Sequence, residues 1–366
     1  MIIRNKYLLL LICWIQFISI ASFPQNHKNV FPGKSWVKAS DLSSLGWSLE
    51  KLSLANHYAD SIGSACVLVI ENGIIIDQFG DVVHKYNSYS MRKSMLSALY
   101  GIYSAKGIID INETLDSLGI DDNPPSLTKE EKRARIIDLL RARSGVYHPV
   151  DFETQKMKDS RPERGSHAPG TFWFYNNWDF NVLGTIFEKK SGLKIGAAFD
   201  KQIASIIGME DYHSDDCYYI SGPVSMHPAF QFHISSRDLA RFGLLYLQNG
   251  SWGNKKIIPE SWVEKSSHAT EIVSANNIQV GGYEMNWWIN TGGKLFPELD
   301  PNIELYAARG LGDHILIIIP SRNLVIVHRV ANPDIPPNDA TQLKTLVNRA
   351  QIGNLVKLIL NAKNIN

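Results

Sequence analysis

The sequence predicts an α/β (α+β) fold in which a mostly antiparallel sheet is flanked by helices and interrupted by an inserted, mainly helical region. A β-hairpin pattern over 65–78 leads into a helical pattern that begins at Tyr89. Apolar spacing of 3.6 residues dominates from 110 to 267, and strand patterns return after 280. We therefore expect one sheet built from both ends of the chain, with a cleft where the insert meets it.

The first residues of the chain resemble a cleaved secretory signal. Within 1–21, two basic residues precede an apolar run over 8–20, and small residues close the segment. A membrane anchor and a lipoprotein attached through Cys13 are the alternatives. The run is short for a membrane span, and the bulky Ile12 precedes the cysteine. We expect export to the periplasm or the medium, without stable membrane insertion after cleavage.

Charge and composition exclude several classes of partner. The net charge is +1 with 20% charged residues and no long basic run, which argues against nucleic acid and anionic membranes. We expect a small-molecule or short-peptide substrate, and the oligomeric state stays open. Only Cys66 and Cys217 follow the signal, so we expect no disulfide framework and a buried free thiol at Cys66. The 11 histidines lack compact ligand spacing, so we expect no metal and no other cofactor.

The mature chain divides into a lead-in and two regions. Residues 22–45 are polar and contain prolines, so they indicate an extended lead-in with Trp36 packed on the body. We assign 46–107 and 280–366 to the α/β region, and 108–279 to the inserted helical region.

Apolar period and turn residues place the elements. Asn72 and Gly73 form a hairpin turn between strands whose apolar side chains point to both faces, which indicates a sheet covered by helices on both sides. Predicted helices span 48–62, 89–107, 136–143, 181–190, 236–247 and 338–360. Predicted strands after the insert span 282–290, 306–308, 314–319 and 324–330.

Ser90 and Lys93 carry the main chemical hypothesis. They lie three residues apart at a helix start, so they share one face about a turn apart. A lysine can deprotonate a serine if burial or nearby positive charge lowers its pKa from about 10.4. The same spacing recurs at Ser35…Lys38, Ser48…Lys51, Ser126…Lys129 and Ser191…Lys194. Only Ser90 opens an amphipathic helix directly after a hairpin pattern.

Two further segments offer groups that a Ser-Lys pair requires. Tyr175 and Asn177 form the only Tyr-x-Asn in the sequence, where a phenol could shuttle a proton and an amide could hold Lys93 and a substrate carbonyl. Plain aromatic packing is the alternative. Glycines within 308–314 let the backbone approach a ligand and direct an N–H at an oxyanion, or they mark a strand-edge bulge.

These three segments, in this order, resemble the penicillin-recognising serine hydrolases, and more closely the class C β-lactamase-related esterases and amidases. The resemblance covers 46–330 and implies a β-lactamase/transpeptidase-like fold. Further matching segments are Leu139-Leu140…Ser144-Gly145, Asp238-Leu-Ala-Arg-Phe-Gly243, Trp262-Val263 and Tyr283…Trp287-Trp288.

The resemblance implies a secreted serine hydrolase that cleaves an ester or amide through an acyl-enzyme on Ser90. Lys93 would be the base and Tyr175 the proton shuttle. Asn177 would orient the site, and the oxyanion hole would be the backbone N–H groups of Ser90 and Leu311, with Gly310 beside them.

The sequence also departs from the family pattern. The Lys-Thr-Gly or His-Thr-Gly of many members is absent, Asp313-His314 replaces Gly-Gln, and Arg92 is a bulky residue in the first motif. Asp313 would repel a substrate carboxylate, whereas Arg309 would bind one if it faced the cleft. D-alanyl peptidase or β-lactamase-like activity, and an inactive ligand-binding homologue, are the alternatives. Tryptophans suited to either cleft or core are Trp173, Trp178, Trp287 and Trp288.

Overall fold

The computed structural model describes residues 30–332 and 347–364. The predicted signal at 1–21 and the first part of the lead-in lie outside the described residues. Within the described ranges, no helix has the length and apolar character needed to cross a bilayer.

The described chain contains both helices and strands, and six consecutive helices separate the first three strands from the rest. The α-helices are α1 Leu49–Ser61, α2 Arg92–Ala105, α3 Ile136–Leu140, α4 Gln155–Asp159, α5 Asn177–Ser191, α6 Ile195–Phe199, α7 Ser205–Ile207, α8 Ser236–Leu247, α9 Glu260–Ser267 and α10 Arg349–Asn361. The strands are β1 Ser64–Glu71, β2 Ile74–Gly80, β3 Lys85–Asn87, β4 Cys217–Ile220, β5 Ala229–Ser235, β6 Ser251–Trp252, β7 Lys255–Lys256, β8 Ser274–Ala275, β9 Ile278–Gln279, β10 Gly282–Glu284, β11 Trp287–Ile289, β12 Tyr306–Gly310, β13 His314–Ile319 and β14 Leu324–Val330.

A seven-stranded antiparallel sheet forms the centre of the fold, in the order β10-β11-β12-β13-β14-β1-β2. Both ends of the chain supply it, because β1 pairs with β14 and Val67 lies opposite His328. The predicted hairpin turn is present, with Asn72 and Gly73 at φ values of 52° and 80°. The predicted fold class is therefore confirmed.

Each face of this sheet has its own core. Leu68 and Ile70 of β1 belong to the larger core, which includes apolar residues of α2, α5 and α8. Val67 and Val69 face the opposite way, into a smaller core with α1 and α10. Successive side chains of β1 thus enter the two cores in turn, and helices cover both faces of the sheet, as the apolar pattern predicted. Full burial of each such side chain stabilises the fold by about 1.5–3 kcal/mol.

Several predicted bounds hold and others require correction. The helix 236–247 and the strands 314–319 and 324–330 have the predicted bounds. The predicted strand 282–290 is instead a hairpin, because Met285 and Asn286 adopt positive φ values of 45° and 66° and reverse the chain.

Helix ends also differ from the predictions. The segment that begins at Tyr89 is a 3-10 turn before α2, and 136–143 ends as a helix at Leu140. The helix predicted over 181–190 starts earlier, at Asn177. The helix predicted over 338–360 starts at Arg349, because Asn348 caps it with extended backbone; residues 338–346 lie outside the described ranges.

A three-stranded sheet, in the order β3-β5-β4, was absent from the prediction. Its central strand β5 is almost wholly buried, so it lacks the polar and apolar alternation that marks a half-exposed strand. Tyr86 of β3 pairs with Ile234 of β5, which joins segments from either side of the predicted boundary at 107. This small sheet lies directly before Ser90 and helps to position it.

Trp36 and Cys66 lie where the sequence predicted them. Trp36 packs on the body, where its Nε1 donates to the Arg237 carbonyl over 3.0 Å. Lys38 forms a parallel bridge with Ile75 of β2. Cys66 and Cys217 are buried free thiols.

Candidate active site

The turn that carries Ser90 is anchored by β5. The Ser88 N–H donates to the Phe232 carbonyl over 2.7 Å, and the Ser88 hydroxyl accepts from the Phe232 N–H at 3.3 Å. Tyr89 has a φ of 46°, unusual for a residue with a side chain, and its N–H donates to Asn87 Oδ1. These contacts hold a strained turn that presents Ser90 at the start of α2.

Ser90, Lys93 and Tyr175 meet at this point. Lys93 Nζ lies 2.6 Å from Ser90 Oγ and 2.7 Å from Tyr175 Oη. The faces of the Tyr175 and Phe180 rings each lie 4.5 Å from the same nitrogen. Lys93 is only 1% exposed, so aromatic carbon and two hydroxyl groups replace water around its amine. The structure therefore brings Tyr175 to the Ser90 and Lys93 pair, although Tyr175 lies 82 positions after Lys93 in the sequence.

The surroundings of Lys93 and Tyr175 set where the proton resides. Burial, followed by the positive charge of Arg92, holds the pKa of Lys93 well below its usual value. Burial raises the pKa of Tyr175 to about 12, although its hydrogen bond with Ser90 and the charges of Arg92 and Arg309 oppose the rise. Both directions favour a protonated phenol beside a neutral amine. A neutral amine at 2.6 Å can accept the proton of Ser90.

Asn286 braces the first turn of α2 and was not singled out from the sequence. Its Nδ2 donates to the Lys93 carbonyl over 3.3 Å, and its own carbonyl accepts from the Ser94 hydroxyl at 2.7 Å. The Asn286 N–H donates to the Leu140 carbonyl. An asparagine inside a predicted apolar strand was the signal that could have indicated this turn.

Asn177 does not lie where the prediction placed it. Its Nδ2 donates to the Phe152 carbonyl and lies 3.6 Å from Met157 Sδ. Among the described residues, its Oδ1 has no hydrogen-bond partner, and no hydrogen bond joins it to Lys93. Asn177 is the first residue of α5, and its side chain is turned toward the 152–157 segment. The prediction that Asn177 holds Lys93 is therefore wrong.

The strand edge that was predicted to supply the oxyanion hole lies against the Ser90 turn. A Cβ at Gly310 would lie 2.7 Å from the Ser88 carbonyl oxygen and 3.1 Å from Tyr89 Cβ. Only glycine allows β12 to approach so closely. Gly310 thus lets the end of β12, which Leu311 follows, lie against the turn that carries Ser90.

Arg309 and Asp313 form an ion pair at this edge. Arg309 Nη2 lies 2.6 Å from Asp313 Oδ1, and the guanidinium lies 5.6 Å from the centre of the Trp288 ring. The two charges that were expected to act oppositely on a substrate carboxylate therefore neutralise each other. His314 is buried, and its Nδ1 accepts from Arg329 Nε over 3.0 Å. His314 is thus part of the packing behind the edge.

A pocket of about 600 Å³ opens beside Tyr175. Its volume is in the usual range for small-molecule sites. Aromatic and aliphatic side chains form most of its wall, and they include Phe172, Trp173, Phe174, Trp288, Ile272, Val273 and Met157. Arg143 also lines it and pairs with Glu271 at 2.7 Å. Trp178 and Trp287 are fully buried in the core, so two of the four tryptophans face the pocket.

Metal-ligating side chains do not gather in the described ranges. No three histidine, cysteine, aspartate or glutamate side chains come close enough together there to hold a metal ion.

Comparison with known proteins places this arrangement in a family. The family model described as Beta-lactamase matches residues 62–350. Among curated proteins, no sequence matches the chain.

Solved structures with the same fold include three hydrolases. A Bacillus anthracis protein described as a 6-aminohexanoate-dimer hydrolase has a TM-score of 0.62 at 19% identity, over 89% of this chain and 86% of its own. A family VIII carboxylesterase has a TM-score of 0.61 at 14% identity, over 90% of this chain and 99% of its own. A D-stereospecific amidohydrolase from Streptomyces has a TM-score of 0.53 at 15% identity, over 77% and 93%. The chain belongs to the beta-lactamase family of serine hydrolases.

Proposed function

We propose that the protein hydrolyses an ester or amide through an acyl-enzyme on Ser90. The observation that carries this proposal is the position of Lys93 Nζ, 2.6 Å from Ser90 Oγ and 2.7 Å from Tyr175 Oη in a buried site. A nucleophile, a neutral base and a protonated phenol within hydrogen-bond reach of one another are the parts that acyl transfer requires.

The steps follow from these positions. Ser90 Oγ attacks the substrate carbonyl carbon while its proton passes to Lys93. The carbonyl oxygen becomes an oxyanion, which the N–H groups of Ser90 and Leu311 stabilise. Tyr175 gives its proton to the leaving group as the carbon–leaving-group bond breaks, and Lys93 returns a proton to Tyr175. Water then attacks the acyl-enzyme by the reverse route, releasing the acid and restoring Ser90.

Lys93 is the base in this scheme, and Tyr175 is the shuttle. Burial raises the pKa of Tyr175 to about 12, so a phenolate is scarce at neutral pH. Burial lowers the pKa of Lys93, so its free amine is abundant. The two groups are hydrogen-bonded, and an observed midpoint of activity therefore belongs to the pair.

The pocket beside Tyr175 favours a neutral substrate with an apolar or aromatic group. Aromatic and aliphatic side chains form most of its wall. Arg143 in that wall is paired with Glu271, and Arg309 at the neighbouring strand edge is paired with Asp313. A substrate carboxylate would therefore find no free cation at either position. The carboxylesterase and amidohydrolase neighbours are named for the two bond types that we propose.

Turnover of a short-chain aryl ester and of the matching anilide tests the proposal. Ser90→Ala should abolish both reactions while the fold is retained, because one hydroxyl contributes little packing. Ser126→Ala is the matched control, since Ser126 also precedes a lysine by three residues but is exposed. Retained hydrolysis in Ser90→Ala, or faster turnover of a chromogenic cephalosporin than of the ester, would contradict the proposal. If the wild type turns over neither the ester, the anilide nor the cephalosporin, a ligand-binding protein is favoured.

We also propose that the protein is exported. The support is the basic and apolar pattern of residues 1–21, which end in small residues. Sequencing the amino terminus of protein recovered outside the cytoplasm should begin at Ser22. An intact Met1 there would contradict cleavage.

A further inference from the structure

Arg92 is a buried cation that has no carboxylate partner within residues 30–332 and 347–364. Its exposure is 0%, and Nη2 donates to Asn181 Oδ1 over 3.1 Å. Among the described residues, its Nε and Nη1 have no hydrogen-bond partner. Its guanidinium lies over the Phe230 ring at 4.4 Å and the Phe152 ring at 5.8 Å. The charge is therefore surrounded by aromatic carbon, where its field is poorly screened.

Another buried arginine shows what full partnering looks like in this fold. Arg329 is also 0% exposed, but its Nε, Nη1 and Nη2 donate to His314, to the Ile234 carbonyl and to the Asn87 carbonyl. Three acceptors take up the donors of Arg329, whereas Asn181 is the one acceptor that the described residues offer to Arg92. Side-chain packing alone does not explain why a buried cation beside Ser90 and Lys93 has two N–H donors without an acceptor among the described residues.

Arg92 is adjacent to Lys93 but does not point into the cleft. Neighbouring residues on a helix face different directions, so the guanidinium packs on β5 while the amine reaches Tyr175. Arg92 can therefore affect the reaction through its field and not through contact with a substrate.

We propose that Arg92 is a positioning residue whose buried, uncompensated charge keeps the Lys93 amine neutral and favours the deprotonated forms of its neighbours. This inference rests on the proposed function of Lys93 as the base. A fixed positive charge opposes a second positive charge on Lys93. It also stabilises negative charge that develops on Ser90 or Tyr175 during acylation, so both effects act in the same direction.

The other charged and titratable groups around Lys93 do not cancel this effect. Tyr175 and Tyr283 are neutral phenols, because burial raises the pKa of both. Burial also raises the pKa of Asp179 well above its usual value, which favours the neutral carboxyl. Arg309 is paired with Asp313. In the part of the chain that the structure describes, Arg92 is thus an unpaired positive charge that acts on the amine.

The test is the pH dependence of labelling by a fluorophosphonate, which requires no knowledge of the natural substrate. In this reaction Ser90 Oγ bonds to phosphorus, fluoride leaves and the serine proton passes to Lys93. Arg92→Gln removes the charge and keeps a polar side chain of similar length. Asn181→Asp keeps Arg92 but places a carboxylate beside its guanidinium. Both variants should move the acid-side midpoint of the labelling rate upward by about one pH unit or more, a tenfold slower reaction below the midpoint.

Controls separate charge from structure. Arg92→Lys keeps a cation at this position, so its midpoint should lie between those of the wild type and Arg92→Gln. Asn181→Ala removes the hydrogen bond without adding charge and should leave the midpoint near that of the wild type. If Arg92→Gln does not fold, the nearly isosteric Asn181→Asp decides the question. Folded variants with an unchanged midpoint would overturn the inference while Ser90 still labels. A wild type that does not label at Ser90 would instead overturn the proposed function.

Discussion

The two sides of the cleft treat charge in opposite ways. On the nucleophile side, Lys93 and Arg92 are buried among aromatic rings, and no carboxylate of the described ranges pairs with either. On the opposite edge, Arg309 pairs with Asp313 at 2.6 Å and lies over Trp288. Charged groups are removed from water on both sides. An ion pair offsets the cost of this desolvation for Arg309, whereas no ion pair offsets it for Lys93 and Arg92. The difference teaches that one side is built to shift protonation and the other to remain electrically neutral toward a substrate.

This contrast explains why the departures from the family motifs do not remove the chemistry. Asp313 and His314 alter the strand edge, where one joins an ion pair and the other packs against Arg329. Neither touches the hydrogen bonds of Lys93 to Ser90 and Tyr175. The altered edge leaves the nucleophile side intact, and we propose that its effect is on substrate recognition.

The largest expected effect comes from breaking the nucleophile side with Lys93→Arg. A guanidinium cannot lose its proton at accessible pH, so the site would hold a permanent cation where it needs a neutral base. We expect the aryl esterase kcat/KM to fall by at least about three orders of magnitude. Near-normal rates across the pH range would show that Tyr175 is the base.

Asp313→Asn tests the neutral edge. Asparagine tolerates the φ of 57° at this position, so the backbone should be retained while the partner charge of Arg309 is removed. A carboxylate-bearing substrate such as a chromogenic cephalosporin should gain about tenfold in kcat/KM, while a neutral aryl ester changes by less than about twofold.

The matched control for this edge is Arg309→Ala. It leaves the Asp313 carboxylate unpaired, so turnover of the cephalosporin should fall below that of the wild type. A cephalosporin rate that moves in the same direction in both variants would show that charge at this edge does not select the substrate.

The smallest expected effect is on stability. The pKa of Lys93 is well below its usual value in the folded protein. Between that lowered pKa and the usual value of about 10.4, Lys93 binds more protons in the unfolded chain, so its contribution to stability rises with pH. Lys93→Met removes the cost of burying an amine. We expect the free energy of unfolding of this variant at pH 7 to exceed that of the wild type by about 1 kcal/mol. The gap should narrow toward pH 10 in denaturant titrations. An equal or lower stability of Lys93→Met at pH 7 would show that the buried amine is not destabilising.

The sequence predicted the parts of the fold and the site that depend on local pattern. Ser90 and Lys93 were recognisable because a helix start fixes their relation, and the hairpin at Asn72 follows from its turn residues. Tyr175 needed the family resemblance as well, since no local rule brings it to Lys93.

What the sequence did not reveal depends on long-range packing. The orientation of Asn177 is decided by the Phe152 carbonyl, 25 residues away, and not by its motif. The support that Asn286 gives to Lys93 spans 193 residues. The strand β5 is buried on both faces and so has no alternating pattern. Such contacts arise only once distant elements are in place.

Mapping the site of fluorophosphonate attachment tests the central claim most directly. Intact-mass analysis of the wild type, followed by peptide mapping, should show one added phosphonyl group, located on Ser90. Ser126→Ala should label as the wild type does, and Ser90→Ala should stay unlabelled. Attachment to any other serine, or a Ser90→Ala variant that still labels, would contradict the assignment of Ser90 as the nucleophile.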